Sequence, residues 1–184
     1  MTQAVPVPRT WAAGDAFTAA LANQELRDMF DWLMDPPSAS VRSASGTSIA
    51  SGGTFTGSPL SFDTESWDWA TEAMHDTSTN PSRLYFPSDG RYLFIVQIDF
   101  ALAATPTGDR ALHVRANAAG NLASGTSILT RSFPVNTEAN EVTSINWAVE
   151  MRRSAGDYLE LWVRHTQGAN NVVTAGLSAS WLGT

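Results

Sequence analysis

The sequence predicts an all-β chain, an antiparallel β-sandwich or barrel, preceded by a short N-terminal arm with one amphipathic α-helix. Three observations carry this. From Val41 onward, short segments of alternating apolar and polar residues are separated by turn clusters. From Thr18 to Met34 the chain runs without glycine or proline and with helical periodicity. Asp35-Pro36-Pro37-Ser38 interrupts the chain between these two regimes, which puts the boundary between an arm, residues 1–36, and a β-domain, residues 37–184.

In the arm, Pro6 and Pro8 keep the first residues out of a helix interior, and Asp15 and Thr18 are candidate N-caps. Leu21, Leu26, Met29, Phe30 and Leu33 form an apolar stripe, with Asn23, Gln24, Arg27, Asp28 and Asp31 on other faces. A helix this short is marginal alone, so the stripe has to pack against something. In the β-domain, Tyr92, Phe94, Val96, Ile98 and Phe100 share one face of a strand, and Arg91, Gln97 and Asp99 the other. Ile145, Trp147, Val149 and Met151 repeat the pattern. Leu159, Leu161 and Val163 alternate with Tyr158, Glu160, Trp162 and Arg164, and Val173, Ala175, Leu177, Ala179 and Trp181 form a last strand. Shorter strands are expected around Thr54–Phe62, Leu112–Ala116 and Ile128–Phe133. Turns are expected at Ser88-Asp89-Gly90, Pro106-Thr107-Gly108-Asp109, Ala119-Gly120-Asn121 and Ala155-Gly156-Asp157.

Composition narrows the function classes. The chain has 184 residues, 43% hydrophobic and 16% charged, which is enough for one domain with a real core. With a net charge of −7 and 11 scattered basic residues, it offers no patch to offset nucleic-acid phosphates. The longest apolar run, Tyr92 to Ala104, is broken by Gln97 and Asp99 and is too short to span a bilayer, so no membrane insertion is expected. The start, Met1 to Arg9, lacks the pattern of a signal peptide. No cysteine is present, and every basic residue is arginine; with the many alanines, this points to a coding sequence of high GC content.

The β-domain resembles the jelly-roll domain of the complement globular-head and tumour-necrosis-factor-like superfamily, over about residues 55 to 184. The resemblance runs through Phe62-Asp63-Thr64-Glu65-Ser66-Trp67-Asp68 with Met74-His75-Asp76 and Asn80-Pro81-Ser82-Arg83-Leu84, and then Phe86-Pro87-Ser88-Asp89-Gly90-Arg91-Tyr92-Leu93-Phe94. It continues in Ser154-Ala155-Gly156-Asp157-Tyr158-Leu159-Glu160-Leu161-Trp162-Val163 and ends on Ser178-Ala179-Ser180-Trp181-Leu182-Gly183-Thr184. It implies a jelly-roll sandwich that assembles as a compact homotrimer. The arm, Pro8-Arg9-Thr10-Trp11-Ala12-Ala13-Gly14-Asp15 and Thr18 to Asp28, resembles the opening of bacteriophage virion proteins, which implies a segment that attaches the protein to a particle.

Catalysis has little to build on. His75, His113 and His165 are the only histidines, and neither a nucleophile elbow, an H-E-x-x-H helix nor a phosphate loop occurs. His75-Asp76 reads as a structural pair, and His113 and His165 as packing or interface residues. The acidic residues Asp63, Glu65, Asp68, Glu72 and Asp76 lack the ordered spacing and turn glycine of a calcium loop, so they read as a solvated edge. Neither an enzyme nor a cofactor is expected.

These readings combine into expected sites. Particle docking falls to Trp11, Leu21, Leu26, Met29, Phe30, Trp32 and Leu33. The mixed aromatic and charged face Tyr158, Glu160, Trp162 and Arg164 is the expected trimer contact. The implied protein is a virion-surface homotrimer, assembled in the host cytoplasm, with other virion proteins as partners. Three placements stay open: a minor tail or tail-fibre component assisting adhesion to a host glycan or protein, a capsid decoration protein, and a free lectin-like module.

Overall fold

The computed structural model describes residues 6–7, 9–69, 73–101, 107–134 and 142–183; Pro8, Glu72, Pro106 and Thr184, named above, lie outside them. The helical run consists of α1 (Ala19–Ala22), a π turn (Asn23–Arg27) and α2 (Asp28–Met34). Thr18 caps it from an extended conformation, its Oγ1 accepting from the Leu21 N–H at 3.2 Å. It stops at Asp35, where the following Pro36 excludes the helical conformation of the residue before it.

The strands among the described residues are β1 (Ser38–Arg42), β2 (Thr47–Ile49), β3 (Thr64–Asp68), β4 (Leu84–Tyr85), β5 (Gly90–Phe100), β6 (Asp109–Ala116), β7 (Thr126–Pro134), β8 (Thr143–Arg153), β9 (Tyr158–His165) and β10 (Asn171–Gly183). One sheet has the order β3-β1-β10-β5-β8, with β2 also on β10; the other has the order β4-β9-β6-β7. All pairings are antiparallel, and from β4 onward most connections cross from one sheet to the other. This is the expected jelly roll.

The two sheets meet over one core. Tyr92, Phe94, Val96, Ile98 and Phe100 of β5 and Val173, Leu177 and Ala179 of β10 face Leu112 and Val114 of β6 and Leu159, Leu161 and Val163 of β9. Phe62, Met74, Leu84 and Phe86 close one side. Each fully buried large side chain contributes about 1.5–3 kcal/mol, so the β5 stripe is a major determinant of stability. Tyr92 buries its ring but donates its hydroxyl to Ser88 O at 2.9 Å, and burial pushes its pKa up to about 12.

Two expectations change here. Thr54–Phe62 is not a ladder strand: it runs along the β9 edge, held where Thr56 N–H donates to Val163 O and Leu60 N–H to Leu161 O. Pro59 has no N–H to give, and Gly57 weakens extended pairing. Conversely, the serine-rich β1 and acidic β3 form full antiparallel partners despite a weak apolar pattern, because they extend a sheet whose centre is already built by β5 and β10.

Candidate binding and association surfaces

The outward side of the β4-β9-β6-β7 sheet carries the residues expected at a trimer contact, and the structure corrects that expectation at Glu160 and Trp162. Both are covered by their own chain, at 1% and 0% exposure. In β6, Asn117 follows the last residue and the chain folds back, so that Gly120 N–H donates to both Glu160 oxygens at 3.1 and 3.0 Å. Arg83 Nε donates to Glu160 Oε1 at 3.1 Å, with its guanidinium 4.4 Å from the Tyr158 ring centre. Tyr158 is only partly covered, and its hydroxyl accepts from the Ala119 N–H at 3.0 Å. Trp162 sits beside His113 in register, and Phe55, from the segment along the β9 edge, lies against both the His113 ring and the Arg164 guanidinium. Arg164 itself is paired with Asp109 at 2.9 Å. The mixed aromatic and charged face is therefore an internal anchor for two loops. The turn residues around Gly120 were visible in the sequence; where that turn closes was not.

The outward side of the other sheet is uncovered. Leu93 and Ile95 project from β5 at 37% and 42% exposure, opposite the buried Tyr92, Phe94 and Val96. Register places Trp67, Ser40, Ser178, Ile95 and Ala148 in one row across the sheet, with Ser180, Leu93 and Glu150 in the next. Trp67 is exposed at one edge and packs against exposed Trp69, ring centres 6.0 Å apart. The charges lie toward the ends of β5: Arg91 pairs with Glu150 at 2.9 Å, and Asp99 accepts from Ser144 Oγ at 2.6 Å. A sequence signal for this face existed. Tyr92-Leu93-Phe94-Ile95-Val96 is apolar at every position rather than at alternate ones, the pattern of a strand covered on both faces.

The arm splits the expected docking set. Trp32 is buried at 7% exposure, its ring edge-on to Trp181 with centres 5.2 Å apart, and Trp181 Nε1 donates to Asp89 O at 3.1 Å. Expected to face a particle, Trp32 instead fixes the helix to its own sandwich. Leu21 and Met29 are half-buried, while Leu26, Phe30, Leu33 and Met34 are exposed. Trp11 is exposed upstream, with the Arg9 guanidinium over its ring and the Phe17 ring tilted against it.

The histidines and acids serve the fold. His75 is buried with Nδ1 2.8 Å from Glu65 Oε1, while Nε2 donates to Pro81 O at 3.1 Å. His165 Nε2 donates to Ile49 O at 2.9 Å. The pKa of His113 is lowered by burial and by the adjacent Arg115. The acids turn toward backbone instead of toward one another. Asp63 accepts from Ala44 and Ser45 N–H groups, which hold its carboxyl well below the usual range. Asp68 accepts from Met74 and His75 N–H groups, and its pKa is raised, burial outweighing those bonds. Asp76 caps Ser78 and Thr79. Carboxylates committed in this way do not converge on an ion, and no His, Asp and Glu grouping suited to a metal occurs among the described residues.

No protein-family model and no curated protein matches the sequence. Among solved structures, the fold is similar to the globular domain of zebrafish complement 1qA protein, at 14% identity and a TM-score of 0.52, covering 79% of this chain and 97% of that one. It is equally similar to the TNF protein Eiger from S. frugiperda, at 19% identity and a TM-score of 0.52, covering 79% and 92% of the two chains.

Proposed function

We propose that the chain is the subunit of a homotrimeric, non-enzymatic binding module whose copies meet through the outward side of the β3-β1-β10-β5-β8 sheet. The observation that carries this is the exposed Leu93 and Ile95 at the centre of that sheet, flanked by Gly176, Ser178, Ser180 and Ser40. Small residues there let another copy's side chains approach the backbone closely, and the two leucine-class side chains supply the apolar centre that an interface needs. The two solved neighbours share the fold, and the resemblance read in the sequence implies a homotrimer for it. Three identical faces around one axis close into a ring without leaving an open edge.

In this reading the arm, residues 1–36, joins the trimer to a bacteriophage particle, and the exposed loops at the far end meet the host surface as part of a minor tail or fibre assembly. The support is the resemblance of the arm and the exposed Trp11 and Phe17 that precede the helix. Ile95→Arg brings three guanidinium groups together at the axis, so the protein is expected to run as a folded monomer by light scattering. Retention of trimer mass by that variant overturns this sheet as the contact, and a wild-type monomer at micromolar concentration overturns the trimer. Deletion of residues 1–36 is expected to abolish incorporation into particles while sparing the trimer; unchanged incorporation overturns the anchoring role.

A further inference from the structure

We propose that the exposed stripe of the N-terminal helix packs against the same stripe of two other copies, forming a short parallel three-helix bundle that continues the sheet interface beyond the sandwich. This rests on the trimer reading and adds an occupant for a surface the single chain leaves open. Leu26, Phe30 and Leu33 are spaced by four and then three residues, the spacing of an a/d seam, with Leu33 at 66% exposure. With Phe30 at a, and Leu26 and Leu33 at d, Met29 and Met34 fall at the flanking g and e positions. In a three-stranded bundle each helix touches two neighbours, so those flanks are drawn into the contact and apolar residues suit them.

The carboxylates obey the same frame, while Arg27, at the flanking position e, is paired with Asp28 of its own helix. Glu25, Asp28, Asp31 and Asp35 occupy positions c, f, b and f, away from the seam, so parallel copies meet without carboxylates facing one another across it. Trp32, at c, is buried on Trp181, so the residue that holds the helix to its own sandwich is one the seam does not need. The π turn extends the seam: its five-residue spacing brings Leu21 into line with Leu26, where regular α-helix would rotate it away.

Position in the fold points the same way. The helix is joined through Asp35–Pro37 to β1, whose first residue, Ser38, lies opposite Ser180. Ser180 is in turn opposite Leu93 and is followed two residues on by exposed Leu182. The apolar line Ile95, Leu93, Leu182 thus leads to the end of the sandwich from which the helix departs. A seam of this length does not hold by itself in water. Held at the high effective concentration set by three joined sandwiches, it has to supply only the last part of the association.

The chain contains no cysteine, so single introduced cysteines report on contacts without interference. In the full-length trimer, Leu33→Cys under a mild oxidant is expected to shift most of the denatured monomer band to a disulfide-linked dimer, while Asp31→Cys stays monomeric. A protein that keeps trimer mass but cross-links no better at 33 than at 31 overturns the bundle and leaves the trimer standing; a wild-type monomer overturns the trimer itself. Because a cysteine can disturb packing, Phe30→Asp gives an independent reading. Trimer mass is expected to persist, with loss of slow hydrogen exchange across 19–34; unchanged exchange overturns the bundle.

Discussion

Glu160→Ala separates an internal anchor from a subunit contact, because the two roles predict opposite results. The carboxylate is buried and accepts from Gly120 N–H on both oxygens and from Arg83 Nε. Truncation leaves the Gly120 donor unpaired, at about 1–3 kcal/mol, and strips Arg83 of its counter-charge. Breaking a fully buried ion pair costs about 3–5 kcal/mol; with the Arg83 side chain 20% exposed, water recovers part of that, which puts the total near ~3 kcal/mol. For a chain of this size that is a fall in Tm of about 6–12 °C. Glu160→Gln, which keeps an acceptor of the same shape, is expected to lose roughly half as much. The assay is thermal denaturation followed by circular dichroism, with mass measured in parallel at fixed concentration. A Glu160→Ala protein that keeps its Tm within about 2 °C but loses oligomeric mass would refute the internal assignment.

Gly90 sits at φ +149, and a Cβ there would overlap Trp181 Nε1 and come within 2.6 Å of Gly183 O, so Gly90→Ala is expected to cost about 2–4 kcal/mol and to expose the Trp181 indole, read by red-shifted tryptophan emission. Acid stability has a definite sign. The carboxyl pKa is depressed at Asp63 by the Ala44 and Ser45 N–H groups, and at Asp109 by the Thr166 and Ser132 hydroxyls and then by Arg164. Because these folded values lie below the unfolded value of 3.8, the stabilisation is complete above about pH 5 and is lost as pH falls below 3.8; Asp68, shifted upward, works the other way. Asp63→Asn is expected to flatten the acid limb of a Tm-against-pH profile, and an unchanged limb would contradict the assignment.

Much of the β-domain was readable because its long strands carry their own instructions. Tyr92 to Phe100 and Val173 to Trp181 alternate strictly on the core side, and only one register buries both sets. The helix was readable for the same reason, from Thr18 as its cap to Pro36 as its stop. The strands that escaped, β1 to β4, have their pairing set by neighbours and not by their own composition. The surfaces were less readable. Alternation in β9 distinguishes two faces but does not say which loop returns to cover one of them, and so Glu160 and Trp162 read as contacts when they are buried. On β5 the signal was present, in the unbroken apolar run through Leu93 and Ile95, yet the core stripe masks it until the sheet has an outside.

What the sequence determines by itself is local: the long alternating strands, the helical run with its cap and stop, and the turns between them. What only the tertiary structure decides is coverage. The Gly120–Glu160 bond spans 40 residues, and Trp32 meets Trp181 from the other end of the chain. Whether a side chain is an anchor or a surface depends on such long-range closures, since burial is a property of what arrives from elsewhere in the chain and periodicity records only the side it must arrive from.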